Sequence, residues 1–151
     1  MDNSYLLINI INYNMTVTPQ ELQARLENFK NVCRQNKLPQ TPQKSAIFRV
    51  LANSYSHPSI QEIYDRVKEE FPHISLATVY KNLKKFTVLG LCLEIPIPGE
   101  NTRYDAKLET HGHAVDTDTG LVYDLELPPE FILSAQVMGR KVKQAHVTYY
   151  I

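Results

Sequence analysis

Along the first two thirds of the chain, apolar residues recur at helical spacing, and each run opens on a residue suited to cap a helix. Leu22, Leu26, Phe29 and Val32-Cys33 form one stripe. It is opened by Thr18-Pro19-Gln20-Glu21, an N-cap with proline at the first helical position, and runs to about Gln35. After a break at Asn36 to Gln40, Thr41-Pro42-Gln43 repeats the start, and Ile47, Phe48, Val50 and Leu51 carry a second helix to Ala52-Asn53. Ser54 to Pro58 reads as a turn holding His57. Ser59 caps a third helix bearing Ile60, Ile63, Tyr64 and Val67, stopped by Phe71-Pro72. Ser75 caps a fourth, Leu76 to about Leu89, closed by Gly90. On its wheel Leu76, Val79, Leu83 and Phe86 share one side, with Tyr80 at the border. Thr78, Lys81, Asn82, Lys84 and Lys85 occupy the other side.

Beyond residue 90 the pattern turns to short extended runs. Leu91 to Ile97 and Thr102 to Tyr104, joined by Pro98-Gly99-Glu100-Asn101, predict a hairpin. A second hairpin runs from Ala114 to Tyr123 around Thr117-Asp118-Thr119-Gly120. With those four residues as the loop, Asp116 pairs with Leu121 and His113 faces Asp124. Pro128-Pro129-Glu130 predicts a short helix through Phe131, Ile132, Leu133, Ala135 and Val137, ended by Gly139, and Val142 to Ile151 a last strand. Helices followed by a β-hairpin is the order of a winged helix-turn-helix. The expected fold is therefore α+β: a winged helix-turn-helix over residues 1–98, then a smaller, mainly β part over 99–151. Met15 is followed at once by a helix start, so residues 1–14 read as an upstream extension or a misplaced start codon. The few elements of the second domain, with a β-branched and aromatic edge, bury themselves poorly alone, which points to a homodimer.

Charge sharpens this division. The chain of 151 residues is neutral overall, but residues 1–99 carry 11 Lys and Arg against 8 Asp and Glu, and residues 100–151 carry 5 against 8. A basic first part suits an anion and an acidic, His-bearing second part suits a cation. Only Cys33 and Cys92 are present, too far apart for a Cys-x-x-Cys zinc site or a disulfide framework, and they read as reduced intracellular thiols. Leu6 to Ile11 is apolar but lacks a basic leader, and no run approaches the roughly 20 residues a membrane span needs, so the expected location is cytoplasmic, away from membranes.

The candidate chemistry lies in two stretches. His111 and His113, at i and i+2 on a strand, project from one face, and Asp124 opposite His113 brings a carboxylate within reach of the same ion. Asp105 is a fourth candidate just upstream. The plainer reading is a polar face on a surface strand. The second stretch is the polar side of the fourth helix. Lysines alone would be a solvated face, but Ser75, Thr78, Tyr80 and Asn82 are mixed with Lys81, Lys84 and Lys85, and such groups reach phosphates and base edges. Gln43 and Lys44 join these as candidate DNA contacts.

Thr41-Pro42-Gln43-Lys44, His57-Pro58, Ser75-Leu76-Ala77-Thr78-Val79-Tyr80-Lys81-Asn82-Leu83, Arg103-Tyr104-Asp105 and His111-Gly112-His113 resemble the Fur family of metal-dependent repressors, over about residues 22–150. The resemblance implies a winged-helix DNA-binding domain over 1–98, a small α/β metal-binding and dimerisation domain over 99–151, and a regulatory metal held by His57, Asp105, His111, His113 and Asp124, with Fe²⁺ or Mn²⁺ as the ion and Zn²⁺ as a further option. Aspartate at 105 and 124 is similar to the peroxide-sensing PerR branch. That branch implies oxidation of a ligand histidine, His111 or His57, and release of an operator on double-stranded DNA. His73 and His146 lie outside the pattern and read as ordinary surface or packing residues. Two departures follow. Asp116 and Thr119 stand where the family places its first Cys-x-x-Cys pair, and the chain ends at Ile151 where the second would follow, so no structural zinc is expected. Lys81 stands where members often carry an asparagine or arginine that helps choose the operator. The alternatives are a Fur-type repressor sensing the level of Fe, Mn or Zn, a constitutive winged-helix protein with a vestigial site, and a non-haem iron enzyme built on His111, His113 and Asp124.

Overall fold

Each of the four capping residues starts a helix. Thr18 caps α1 (Pro19–Gln35), Thr41 caps α2 (Pro42–Ala52), Ser59 caps α3 (Ile60–Glu70) and Ser75 caps α4 (Leu76–Val88). Thr18 with Glu21 and Ser59 with Glu62 close full capping boxes, so two otherwise unpaired amides are satisfied at each end. At the far end of α4, Gly90 takes φ +69°, the left-handed turn that glycine makes without a side-chain clash. The structure is a computed structural model and describes residues 10–11, 16–107, 109–127, 136–142 and 145–151. The chain separates into two compact units, Met15–Leu108 and Met1–Asn14 with Glu109–Ile151.

The helical unit is built on an aromatic triad. The Phe29 and Phe48 rings stack at 4.4 Å, and Phe86 meets both edge-on at 5.6 and 5.5 Å. Ile47, Leu51, Ile63, Val67, Val79 and Leu83 complete the core. Of the apolar stripe expected on α4, Val79, Leu83 and Phe86 are buried, whereas Leu76 in the first turn is 42% exposed. The wing is a hairpin of β2 (Leu93–Ile95) and β3 (Arg103–Asp105), shorter than the runs read from sequence, with Leu93 opposite Asp105. Tyr104 packs into the helical core. That packing places the whole wing in the first unit, so the boundary expected between 98 and 99 falls between 108 and 109.

The second unit centres on a four-stranded sheet in the order β1-β5-β4-β8. β4 (Gly112–Val115) and β5 (Val122–Leu125) form the expected hairpin, and β8 (Val147–Tyr150) lies parallel to β4. β1 (Ile10–Ile11) pairs antiparallel with β5, so this part of residues 1–14 belongs to the sheet and not to the helical unit with which it was grouped. The helix expected from Pro128 to Gly139 is corrected at its end. Gln136–Val137 and Arg140–Lys141 are strands β6 and β7, paired across Met138-Gly139. Met138 and Gly139 take φ +52° and +73°, and two successive positive φ values make the tight turn that suits a hairpin and ends a helix. The expectation for 128–135 lies outside the described residues. Among the described residues no helix is long and apolar enough to cross a membrane.

Candidate functional site

The five expected ligands fall into two groups, one in each unit. In the helical unit His57 follows α2 in a short turn and takes φ +49°, a left-handed conformation in which histidine is several-fold enriched. The turn is fastened to the wing at three points. Tyr104 N–H donates to Pro58 O at 3.0 Å, Ser59 bridges to Arg103, and Arg103 Nη1 lies 2.9 Å from Glu62 Oε2. The same Glu62 oxygen accepts from Ser59 N–H, so the cap of α3 and the wing share one carboxylate. This fastening sets His57 beside Asp105, with Nε2 3.8 Å from Oδ2 and both side chains buried. The other Asp105 oxygen accepts from Lys107 N–H at 2.7 Å, which fixes the carboxylate plane.

In the hairpin unit the register is the one the turn residues predict. Asp116 N–H donates to Leu121 O, and His113 lies opposite Asp124. Asp116 Oδ1 also accepts from the N–H groups of Asp118 and Thr119, and Gly120 closes the loop at φ +70°. Those two amides hold the Asp116 carboxyl below the usual carboxylate range. His111 Nε2 and His113 Nε2 stand 3.1 Å apart, and each lies 3.7 Å from Asp124 Oδ1. Two ring nitrogens so close share either a proton or a cation. His111 Nδ1–H donates to Glu109 O at 2.6 Å, which leaves Nε2 of the neutral ring as the lone-pair nitrogen. Donors on one divalent ion at about 2.1 Å are roughly 3.0–3.4 Å apart; the two imidazoles already stand at that spacing, the Asp124 oxygen has only to draw in by a few tenths of an ångström, and the donor types suit a metal. The residue between the imidazoles has to be small: a Cβ on Gly112 would stand 2.7 Å from Leu127 Cδ2 and 3.3 Å from Val147 O.

The candidate DNA contacts also divide. Gln43, Lys44, Ser75, Thr78, Lys81, Asn82 and Lys85 line one groove of about 880 Å³ on the helical unit. Ser75 Oγ accepts from Thr78 N–H, and Asn82 Nδ2 donates to Thr78 O, which orders the polar face. Tyr80 and Lys84 lie off this groove, and Lys84 is paired with Glu94 of β2 at 2.9 Å. His73, read from sequence as an ordinary surface residue, lines the groove. The link between the third helix and Ser75 offered no periodic signal that could have marked it.

The sequence profile of the Ferric uptake regulator family matches residues 35–150. The chain belongs to the ferric uptake regulator family. It is similar to the peroxide-responsive repressor PerR of Staphylococcus saprophyticus, 29% identical over 136 residues and 90% of each chain. The crystal structure of the Campylobacter jejuni peroxide stress regulator is 33% identical over 83% of this chain and 93% of its own, with a TM-score of 0.63. The ferric uptake regulator of Pseudomonas aeruginosa, solved with manganese, is 25% identical over 81% of this chain and 95% of its own, at 0.66. Family membership and these structures agree with the α+β fold of N-terminal helices followed by a small sheet.

Proposed function

We propose that the protein is a dimeric, metal-dependent repressor that binds operator DNA in the cytoplasm and releases it in response to peroxide. The observation that carries this reading is the convergence of His111 Nε2, His113 Nε2 and Asp124 Oδ1 on one point of the hairpin. These three donors hold the ion, and His57 and Asp105 of the helical unit complete its shell as fourth and fifth ligands. Octahedral ions such as Fe²⁺ and Mn²⁺ accept that many imidazole and carboxylate groups, and Zn²⁺ accepts four of them. An ion engaged by both units biases a two-state equilibrium toward the DNA-binding arrangement, and its loss removes the bias.

A redox-active ion, when bound, supplies the one-electron chemistry that peroxide needs. The residues open to damage are then the ligand imidazoles, His111 and His57 first. Thiol chemistry is a poorer route. Burial pushes the Cys92 thiol up to about 12, above its usual range, and raises that of Cys33, so neither presents a thiolate at neutral pH. The groove contacts supply DNA affinity, with Lys44, Lys81 and Lys85 toward phosphates and Ser75, Thr78 and Asn82 toward phosphates and base edges. Tyr80 reads a base from the adjoining surface. At the first expected zinc-cysteine position Asp116 caps the turn through backbone amides instead, and the dimer holds by packing.

The test is anaerobic loading with Fe²⁺, peroxide treatment and peptide mass mapping. One added oxygen on the His111 or His57 peptide, with loss of DNA retention, is the expected result. Unmodified histidines with DNA released only by a chelator would instead favour a sensor of metal level, the reading that the manganese-containing P. aeruginosa relative supports. DNA binding indifferent to metal would leave a constitutive winged-helix protein, and no retention on DNA with or without metal would leave a non-haem iron enzyme.

A further inference from the structure

We propose that Lys84 is a positioning residue that sets the ring of Tyr80 through its ion pair with the wing, and is not a phosphate contact. The proposal rests on the DNA-binding reading above and assigns specificity within that surface. Lys84 Nζ lies 2.9 Å from one Glu94 oxygen and 3.2 Å from the other, so both oxygens of a β2 carboxylate hold one ammonium. The same ammonium stands 5.7 Å from the centroid of the Tyr80 ring, one helical turn earlier. Neither side chain lines the groove that gathers Lys81 and Lys85.

Elementary electrostatics then separates the lysines of α4. A phosphate approaching Lys84 has to displace a carboxylate that already neutralises it, and then sits beside that carboxylate. Among the described residues no carboxylate is paired with Lys81 or Lys85, so their charge is available to DNA. The Glu94 hydrogen bond also raises the Lys84 pKa, so the pair stays ionised through neutral pH. An exposed pair adds little to stability, and its consequence here is orientation. Tyr80 is 50% exposed, so its ring has room for more than one rotamer, and a cation held over one face favours one of them.

The test uses the Mn²⁺-loaded full chain, with duplexes enriched on the wild type from a random pool and unselected duplexes as the two probes. Lys84→Ala is expected to cut the enriched-over-random affinity ratio by about five-fold, the low end for a base contact, with the salt dependence unchanged, and Glu94→Gln, which frees the ammonium from the wing, is expected to cut the ratio similarly. Lys84→Arg, which keeps a cation between the Glu94 carboxylate and the Tyr80 ring, is expected to preserve the ratio. Matching thermal melts show that all variants fold. A flattening of the salt slope by about one unit in Lys84→Ala, with tighter binding of both probes by Glu94→Gln, would overturn the proposal in favour of a phosphate contact. Unchanged ratios in both Lys84→Ala and Glu94→Gln would overturn it as well. Failure of the wild type to enrich any duplex would instead sink the repressor reading from which the proposal starts.

Discussion

His57 and Asp105 reach each other across 48 residues of chain, through a β-bridge, a backbone hydrogen bond and a shared capping carboxylate. His111, His113 and Asp124 come from one hairpin, and a single turn sets their register. The helical group therefore inherits its geometry from a cored, capped unit, and the hairpin group carries its own. Three convergent donors suffice to hold an ion, whereas one imidazole beside one carboxylate does not. In this account, metal affinity resides in the hairpin and the response to metal resides in the helical unit.

The largest expected effect breaks the helical unit alone. Phe48 stacks on Phe29 and abuts Phe86, and Phe48→Ala is expected to cost about 3–5 kcal/mol. Chemical denaturation should show that loss while calorimetry still detects Mn²⁺ at the hairpin; disappearance of both together would erase the distinction between the units. Next, His111→Ala removes a proposed ligand and not merely a supporting group. Its Mn²⁺ affinity should fall by more than the roughly 10- to 100-fold that loss of a supporting partner brings. Smaller again is Gly112→Ala, whose Cβ must push Leu127 aside. It should destabilise the chain by about 1–3 kcal/mol and weaken Mn²⁺ binding in parallel, while Ala substitutions on the helical surface leave Mn²⁺ affinity alone.

The smallest effect tests the cap of α1. The Tyr55 hydroxyl, hydrogen-bonded to Glu21, holds that carboxyl down at about 2. A depressed carboxylate contributes stability above its ordinary range, and that contribution is lost as pH falls through about 2. In Tyr55→Phe the folded value rises toward the ordinary one, so less of this stability exists above the ordinary carboxylate range and less is lost on acidification. Wild type should melt slightly higher at about pH 5, and melting temperatures followed down to about pH 2 should converge as Glu21 is protonated in both proteins. Parallel curves throughout would show that the hydroxyl does not set Glu21.

What the sequence made legible was local. Thr18, Thr41, Ser59 and Ser75 mark their helices because a cap acts within its own turn. His113 could be set against Asp124 because Thr117 to Gly120 determine one register. Pairings between distant segments leave no such periodic trace. Nothing near Ile10 announces that it will lie beside Leu125, and nothing in Pro58 announces the Tyr104 amide that brings Asp105 to His57. The end of the expected helix, at Gln136 to Gly139, was misread for another reason. Its apolar spacing is compatible with a short helix, and the positive φ of Met138, a residue that seldom takes it, overrides that pattern. On α4 the wheel placed Leu76 with the core, but a first-turn residue can extend past the end of the packing surface, and this one is exposed.

If affinity for metal and response to metal belong to different units, His57→Ala separates the two. The measurement is affinity for a duplex enriched on the wild type, followed against Mn²⁺ concentration, with Mn²⁺ binding measured calorimetrically on the same samples. Wild type should gain about 5- to 150-fold in DNA affinity as Mn²⁺ binds, the usual range for coupled sites. His57→Ala should still bind Mn²⁺ through the hairpin and show no such gain. A His57→Ala protein that gains the full wild-type increment would contradict the account, because His57 would then have no part in the response.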